Sequence, residues 1–267
     1  MEDRVIRLEG VRNLRDFGGY QGLDGKRVKS GALFRSGHYA EATDDDISRL
    51  ETLNIVVQAD LRRPDERERQ VNRWPGEAVR VISHDGGREM QAPHARFLQE
   101  TEVSAQAAES WMVEYYKSAP FRPHHVDLFT AWFNALAELP EDSAALVNCA
   151  AGKDRTGILC ALTHHALGVD DNDIYTDYDL TNTAANVDAR LPEARAYFND
   201  MLGKDYDAEV YRPFIGVRIP YLETAFEAID KAHGNRDDYL ASVLGVDDTK
   251  RERILSRLLA DDLPRTS

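Results

Sequence analysis

The sequence VNCAAGKDRTG at residues 147–157 decides the fold, because Cys149 and Arg155 flank a short run that includes small residues. The apolar run 144–148 in front of it predicts a strand. The apolar run 156–167 behind it predicts a helix that Gly168 closes. A tight loop between a strand and a helix turns backbone N–H groups inward, where they can bind a tetrahedral oxyanion. We therefore expect an anion-binding loop at the carboxyl end of a strand.

The loop combines the groups that phosphate chemistry needs. The following helix points its unsatisfied N–H groups and the positive end of its dipole at the loop. Arg155 can hold two phosphate oxygens with its forked guanidinium, and Cys149 lies where the reactive thiolate is favoured. Thr156 adds a hydroxyl within reach of the sulfur. The predicted phosphate-binding residues are Ala150, Ala151, Gly152, Lys153, Asp154, Arg155 and Thr156.

Other interpretations of this segment fit less well. A nucleotide-binding loop requires Gly-x4-Gly-Lys-[Ser/Thr], but Val147 stands at the first glycine position and Asp154 follows the lysine. A metal site lacks a second ligand pair at suitable spacing. A plain buried cysteine is the commoner role for a lone Cys, yet it leaves the position of Arg155 unexplained.

Composition limits the classes of partner. The chain has 267 residues, with 33 Lys+Arg against 47 Asp+Glu and a formal charge of −14. Such an acidic protein does not bind nucleic acid or an anionic membrane through bulk charge. The two cysteines, Cys149 and Cys160, provide no disulfide framework and suit a reducing compartment. The first ten residues resemble no secretory signal, and no run of about 18 apolar residues occurs. We expect a cytoplasmic protein without stable membrane insertion.

The hydrophobic pattern predicts an α/β fold with a small, mostly parallel sheet. We expect one domain over residues 1–267, with a sheet-forming core at about 10–168 and a helical part at about 170–262 that contains no strand. The charged segment 62–70 is expected to be a solvated helix or loop. Predicted strands lie at 31–36, 54–61, 78–83 and 144–148, and predicted helices at about 43–53, 101–117, 123–138 and 156–167.

Four motifs in order resemble one family. Besides the loop at 149–157, the chain contains the patterns Asn13–Tyr20, Leu33–Gly37 and Asp60–Arg62. Together these are similar to the atypical bacterial group of cysteine-based protein tyrosine phosphatases with Gly-Lys-Asp-Arg in the loop. That group includes a secreted mycobacterial phosphatase acting on phosphotyrosine, phosphoserine or phosphothreonine, and phosphoinositides.

The resemblance implies a tyrosine-phosphatase-like fold with extra C-terminal helices. It also implies a metal-free phosphomonoester hydrolase that needs no cofactor and forms a cysteinyl-phosphate. The expected partner is a phosphorylated protein, with dual specificity, or a phosphoinositide. The chain departs from the wider family in two places: Asn148 replaces a histidine, and Trp74-Pro75-Gly76 lacks the aspartate of the usual Trp-Pro-Asp loop.

The leaving oxygen needs a proton donor. Asp154 is our first candidate, because the resemblance places a carboxylate there. Asp60, at the end of a strand near the loop, is the second, with a structural ion pair to an arginine as its alternative role. Asp85, in a Gly-flanked turn, is the third.

Several roles stay open at this stage. Lys153 is either a receptor for an extra anionic group or a solvated loop lysine, and residues 100–120 either form a helical lid or pack in the core. A solvated helix face is favoured over a lipid-binding patch for Arg62, Arg63, Arg67 and Arg69. Two other functions also stay open: a phospho-ligand binding module without turnover and, further away, a sulfurtransferase.

Overall fold

The computed structural model describes residues 4–88, 93–100 and 103–261. Within these ranges the central sheet has five strands, and a smaller sheet pairs two short ones. The central strands are β1 (Arg15–Asp16), β3 (Leu33–Ser36), β4 (Ile55–Asp60), β5 (Arg80–Ile82) and β6 (Ala144–Asn148). The smaller sheet joins β2 (Arg27–Val28) to β7 (Leu259–Ala260).

The central sheet is mostly parallel, as predicted. Its order is β1-β3-β6-β4-β5, and β1 alone runs antiparallel to its neighbour. In this order β6 lies between β3 and β4, and its last residue, Asn148, is in register with both Ser36 and Asp60. The loop after β6 therefore leaves the sheet at the edge where parallel strands present their carboxyl ends.

Helices surround the sheet and form the C-terminal part of the chain. They are α1 (Asp44–Glu51), α2 (Pro64–Arg69), α3 (Pro93–Glu100), α4 (Ala105–Ser118), α5 (Pro123–Ala137), α6 (Asp154–Ala166), α7 (Asp171–Ala184), α8 (Val187–Leu202), α9 (Arg212–Ile215), α10 (Ile219–His233), α11 (Arg236–Ser242) and α12 (Asp248–Leu258). No helix of the described residues has the length and apolar character needed to cross a membrane.

The packing of the core explains why the sequence of β6 is a continuous apolar run. Ala145 and Val147 belong to the cluster that contains residues of α5 and α6, whereas Ala144 and Leu146 belong to a second cluster with α1 and Trp74. Successive side chains of a strand point to opposite faces, so a strand covered on both sides needs apolar residues at every position. The α/β class predicted from the sequence is confirmed.

Two predictions about local structure are wrong. The C-terminal part does contain a strand, since Leu259 of β7 pairs with Val28; two residues are too few to show a periodic pattern. The segment 62–70 is solvated only at its end: residues 68–70 are exposed, whereas Arg62 is 2% exposed and α2 begins only at Pro64. In the buried part Arg62 pairs with Asp60, whereas Glu68 pairs with Arg88 at the surface.

Two predicted elements extend beyond the described residues. Positions 101 and 102 of the predicted helix 101–117 lie outside them, and the observed α4 begins at Ala105. Residue 262, the last of the predicted helical part, also lies outside them, as do the first three residues of the segment tested for a secretory signal.

A buried ion-pair cluster joins the sheet to the helical part. The carboxylate of Asp177 on α7 accepts hydrogen bonds from Arg35 Nη1 at 2.7 Å and from Arg15 Nε at 3.3 Å. All three side chains are almost completely buried. Burial opposes the ionisation of Asp177, but the two guanidinium groups hold its pKa well below the usual value. Without this carboxylate both buried arginines would carry uncompensated charge, which destabilises the folded state.

We expect the variant Asp177→Asn to lower the free energy of unfolding by about 3–5 kcal/mol, because it leaves buried charge without compensation. Urea denaturation monitored by circular dichroism measures this change. The control Asp179→Asn, which alters an exposed position on the same helix, should stay within about 0.5 kcal/mol of the wild type. Equal stability of the two variants would contradict a structural role for the cluster.

Candidate active site

The loop after β6 has a shape that only glycine allows at its centre. Gly152 has a φ of +68°, and a Cβ at this position would lie 2.4 Å from the backbone of Ser36. The loop therefore packs directly on the end of β3. Beyond it, α6 begins at Asp154, and its first N–H groups have no acceptor within the helix.

The buried cluster also holds this loop. The carbonyl oxygen of Gly152 accepts hydrogen bonds from Asn13 Nδ2 at 2.7 Å and from Arg35 Nη2 at 3.2 Å. Arg35 thus contacts the loop with one nitrogen and Asp177 with the other. The position of the loop depends on a charge pair formed with α7, about twenty residues further along the chain.

Cys149 lies at the wall of a cavity of about 140 Å³ and is 2% exposed. Oγ1 of the neighbouring Thr156 is buried, and among the described residues it makes no hydrogen bond, to the sulfur or to any other atom. The second cysteine, Cys160, packs within the main core, where burial raises the pKa of its thiol to about 12. The two cysteines therefore occupy different environments.

Arg155 reaches the same cavity and is held by α2. Its Nη1 donates to the carbonyl of Leu61 at 2.9 Å and to Glu66 at 2.6 Å, and its Nη2 donates to Glu66 at 2.9 Å. A guanidinium carries five N–H donors. Among the described residues, the edge formed by Nε–H and the second Nη2–H has no acceptor, and this edge matches two oxygens of a phosphate.

Glu66 and Arg155 each keep the other side chain in its charged form. Burial disfavours ionisation of Glu66, but Arg155 outweighs it and lowers the pKa of this carboxyl to about 2. Burial likewise disfavours the charge of Arg155, yet Glu66 and Cys149 hold the pKa of the guanidinium well above its usual value. Arg155 stays cationic at every pH where the protein is folded.

Asp154 faces the cavity and accepts two hydrogen bonds on one oxygen. Tyr116 of α4 donates to Oδ1 at 2.8 Å, and Lys153 Nζ donates to the same atom at 2.9 Å. Tyr178 of α7 donates in turn to the Tyr116 hydroxyl at 2.6 Å. Burial raises the pKa of both tyrosines well above the usual value, so both remain neutral donors.

Lys153 is not a solvated loop lysine, which was one of its two predicted roles. It is 4% exposed, and its ammonium also donates to the carbonyls of Pro213 and Gly216 at 3.2 and 3.0 Å. These carbonyls belong to α9 and the turn after it. The charge of Lys153 therefore ties the loop to the C-terminal part, and its role towards a bound anion stays a prediction.

The other two candidate acids lie in different surroundings. Asp60 is buried at the end of β4, where Arg62 donates to both of its oxygens and Asn148 Nδ2 donates at 3.2 Å. This is the structural ion pair that the sequence left open as an alternative. Asp85 is 97% exposed and pairs with Arg67 at 2.9 Å.

An aromatic wall forms the outer part of the cavity. Trp111 and Tyr115 of α4 stack with ring centroids 6.0 Å apart, and Phe214 of α9 packs against Trp111 at 5.8 Å. The guanidinium of Arg122 lies over the Tyr115 ring at 4.8 Å. From the predicted segment 100–120, Trp111 and Tyr115 line the cavity, and Met112 and Tyr116 are buried in the main core. Movement of this segment as a lid stays a prediction.

The sequence did not identify several residues that complete the site. The sequence presents Glu66 as one charge in a run expected to be solvated, and Tyr116 as a core or lid residue. Asp177 carried no local signal, because it lies in an ordinary helical segment. Arg35 stood in one of the family motifs, and that motif was the only available hint.

The described residues contain no group of three or more His, Cys, Asp or Glu side chains arranged to hold a metal ion. The sequence contains two adjacent histidine pairs, His124-His125 and His164-His165, and one ring of each pair lies close to a backbone carbonyl. His125 Nδ1 lies 2.8 Å from the carbonyl of Ala119, and His164 Nε2 lies 2.7 Å from that of Phe17.

Comparison with known proteins is consistent with this geometry. The sequence model described as "Tyrosine phosphatase family" matches residues 6–260. A Cupriavidus necator protein named as a tyrosine-protein phosphatase is 30% identical over 251 residues, which cover 91% of this chain and 85% of that protein. The triple specificity protein phosphatase PtpB of Mycobacterium tuberculosis is 27% identical over 271 residues, covering 88% and 92% of the two chains.

Among solved structures, TpbA of P. aeruginosa is similar over 74% of this chain and 96% of its own, with 16% identity and a TM-score of 0.31.

We expect Glu66→Gln to reduce kcat/KM on an aryl phosphate by about 10- to 100-fold, because Arg155 loses the partner that orients it. The matched control is Glu68→Gln, an exposed position on the same helix, and it should keep wild-type kinetics. An unchanged rate in Glu66→Gln would show that Arg155 needs no orientation by α2.

The same pair contributes to stability in a pH-dependent way. The pKa of Glu66 is depressed in the folded state, so its contribution is fully present above the unfolded value of about 4.3 and is lost as the pH falls towards 2. The difference in unfolding free energy between the wild type and Glu66→Gln should therefore shrink over this range.

Proposed function

The chain belongs to the tyrosine phosphatase family, and we propose that it hydrolyses phosphotyrosine in peptides or proteins through a cysteinyl-phosphate at Cys149. One observation carries the proposal: Cys149, the first turn of α6 and the open edge of Arg155 border the same cavity. A nucleophile, a helix N-terminus and a fixed guanidinium together form a site for a phosphoryl group and for the charge of its transition state.

In the first step the thiolate of Cys149 attacks phosphorus in line with the leaving oxygen. The S–P bond forms as the P–O bond to the tyrosine ring breaks, and a proton passes to the phenolate oxygen. Arg155 and the N–H groups of the loop hold the three remaining phosphoryl oxygens. Water then attacks phosphorus, the S–P bond breaks, and inorganic phosphate leaves with the thiolate restored.

We assign the proton transfer to Asp154. Support comes from its place in the lining of the cavity beside Arg155 and from the free oxygen Oδ2, since Tyr116 and Lys153 both donate to Oδ1. Asp60 is a weaker candidate, because both of its oxygens already accept bonds from Arg62. In the second step the Asp154 carboxylate accepts a proton from the attacking water.

The aromatic wall favours phosphotyrosine as the substrate. A phosphotyrosine bound at the loop brings its ring into the cavity that Trp111, Tyr115 and Phe214 also line. Aromatic rings attract one another in stacked or edge-on arrangements by about 0.5–1.5 kcal/mol beyond the area they bury. Phosphoserine and phosphoinositides can bind the same loop through their phosphate groups, but they lack an aromatic ring that could pack against this wall.

We expect Cys149→Ser to lower phosphate release from a phosphotyrosine peptide by about three orders of magnitude or more, because the hydroxyl is a far weaker nucleophile. A colorimetric phosphate assay measures this loss. The control Cys160→Ala changes the other cysteine and should retain turnover. The wild type should act faster on the phosphotyrosine peptide than on phosphoserine or phosphoinositide substrates, and a chelator should not change its rate.

Full turnover by Cys149→Ser would contradict the proposed nucleophile. Binding of the phosphopeptide by the wild type without phosphate release would instead support a binding module. Formation of a persulfide after treatment with thiosulfate would support a sulfurtransferase.

For the proton donor, we expect Asp154→Asn to lower kcat on the phosphotyrosine peptide by about 100-fold or more and to abolish the high-pH decline of the rate. The reason is that a general acid works only while it is protonated. Asp60→Asn should keep this decline, although it loses the ion pair with Arg62. Persistence of the decline in Asp154→Asn and its loss in Asp60→Asn would exchange the two assignments.

A further inference from the structure

A second, smaller cavity of about 60 Å³ adjoins the catalytic one. The two cavities share Ala150 and Ala151, so this part of the loop borders both of them. The smaller cavity has room for a few water molecules or for one carboxylate or phosphate group. Its charged or ionisable lining residues are Arg12, His38, Glu41 and Arg190.

Arg190, on α8, is the unusual member of this set. Its Nε is buried, and among the described residues it has no hydrogen-bond partner. Burial and, after it, the neighbouring charge of Arg12 lower the pKa of Arg190, and the charges of Glu193 and Glu41 oppose this only in part. A buried donor without an acceptor is costly, and an anion in the cavity would remove that cost.

The nearby acids compensate this charge only weakly. Glu41 lies 3.8 Å from Arg12, and both side chains are about half exposed, so water screens the pair. Glu193, on the same helix as Arg190, is exposed, and among the described residues it forms no ion pair with Arg190. Burial lowers the pKa of His38, so its ring is neutral near pH 7 and adds no charge of its own.

We propose that this cavity is a subsite for a second anionic side chain of the peptide whose phosphotyrosine occupies the catalytic cavity. The inference rests on the proposed function. It assigns Arg190 and Arg12 the role of holding a carboxylate or phosphate a few residues from the phosphotyrosine, across the loop from Cys149. The acidic exterior of the protein, with a net charge of −14, favours a peptide over an anionic membrane as the source of this group.

The test uses a set of phosphotyrosine peptides with one parent sequence. Each peptide carries a single glutamate at one of the three positions before or after the phosphotyrosine. For each position, a peptide with glutamine in place of the glutamate is the uncharged control. The wild type should show a higher kcat/KM for glutamate than for glutamine at one or two of these positions, by about tenfold, as for a hydrogen bond to a charged group. High salt should reduce this ratio.

Arg190→Met should bring the ratio close to one, because methionine keeps much of the side-chain length but carries no charge. The matched control is Arg195→Met on the same helix. The guanidinium of Arg195 lines neither cavity and pairs with Asp205, at a distance of 2.8 Å. This control should keep the wild-type ratio. Each ratio compares two peptides with the same enzyme sample, so a partly unfolded variant does not distort it.

Equal rates on the glutamate and glutamine peptides at every position would overturn the subsite, even if all peptides are hydrolysed. A preference that survives in Arg190→Met would overturn the role of this arginine. Failure of the proposed function would look different, since no phosphotyrosine peptide would then be hydrolysed. A preference for phosphoinositide vesicles that Arg190→Met abolishes would assign the cavity to a lipid headgroup and refute the peptide proposal.

Discussion

The carboxylate of Asp177 compensates two guanidinium groups in the interior of the protein, and the loop that carries Cys149 is held by one of them. Taking charged groups out of water costs several kcal/mol for each ion, so such a cluster forms only when its members meet in good geometry. Its three residues come from β1, β3 and α7. The cluster therefore fixes three things at once: the arrangement of the sheet, the position of α7 and the shape of the loop that carries Cys149.

The sequence predicted the features whose causes are local. A strand buried on both faces shows as the apolar run 144–148, and the spacing of Cys149 and Arg155 follows from the geometry of one loop. The residues that complete the site could not be predicted in this way. Glu66 lies 89 positions from Arg155, and Tyr116 lies 38 positions from Asp154, so no periodicity or motif relates them. The burial of Glu66 within the charged segment 62–70 has the same cause, because its partner Arg155 is set by the tertiary fold.

The site has to bind an anionic ligand although the protein as a whole carries negative charge. A chain with a charge of −14 repels an anionic substrate at long range. Arg155 remains a permanent cation because Glu66 neutralises one side of its guanidinium and leaves the other side to the cavity. The carboxylate thus orients the arginine without occupying the Nε edge, which we propose to bind the phosphate. Attraction is confined to short distances, where shape and hydrogen bonding select the ligand.

The hydrogen bonds from Lys153 to Pro213 and Gly216 have a consequence for how such chains can diverge. A recombination event near residue 170 would exchange the helical part for that of a relative while keeping the nucleophile and the arginine. The helical part taken from the relative would have to supply both the carbonyls that hold Lys153 and the carboxylate that compensates Arg35. The two parts of the gene are therefore expected to be inherited together, and insertions should accumulate at positions away from these contacts.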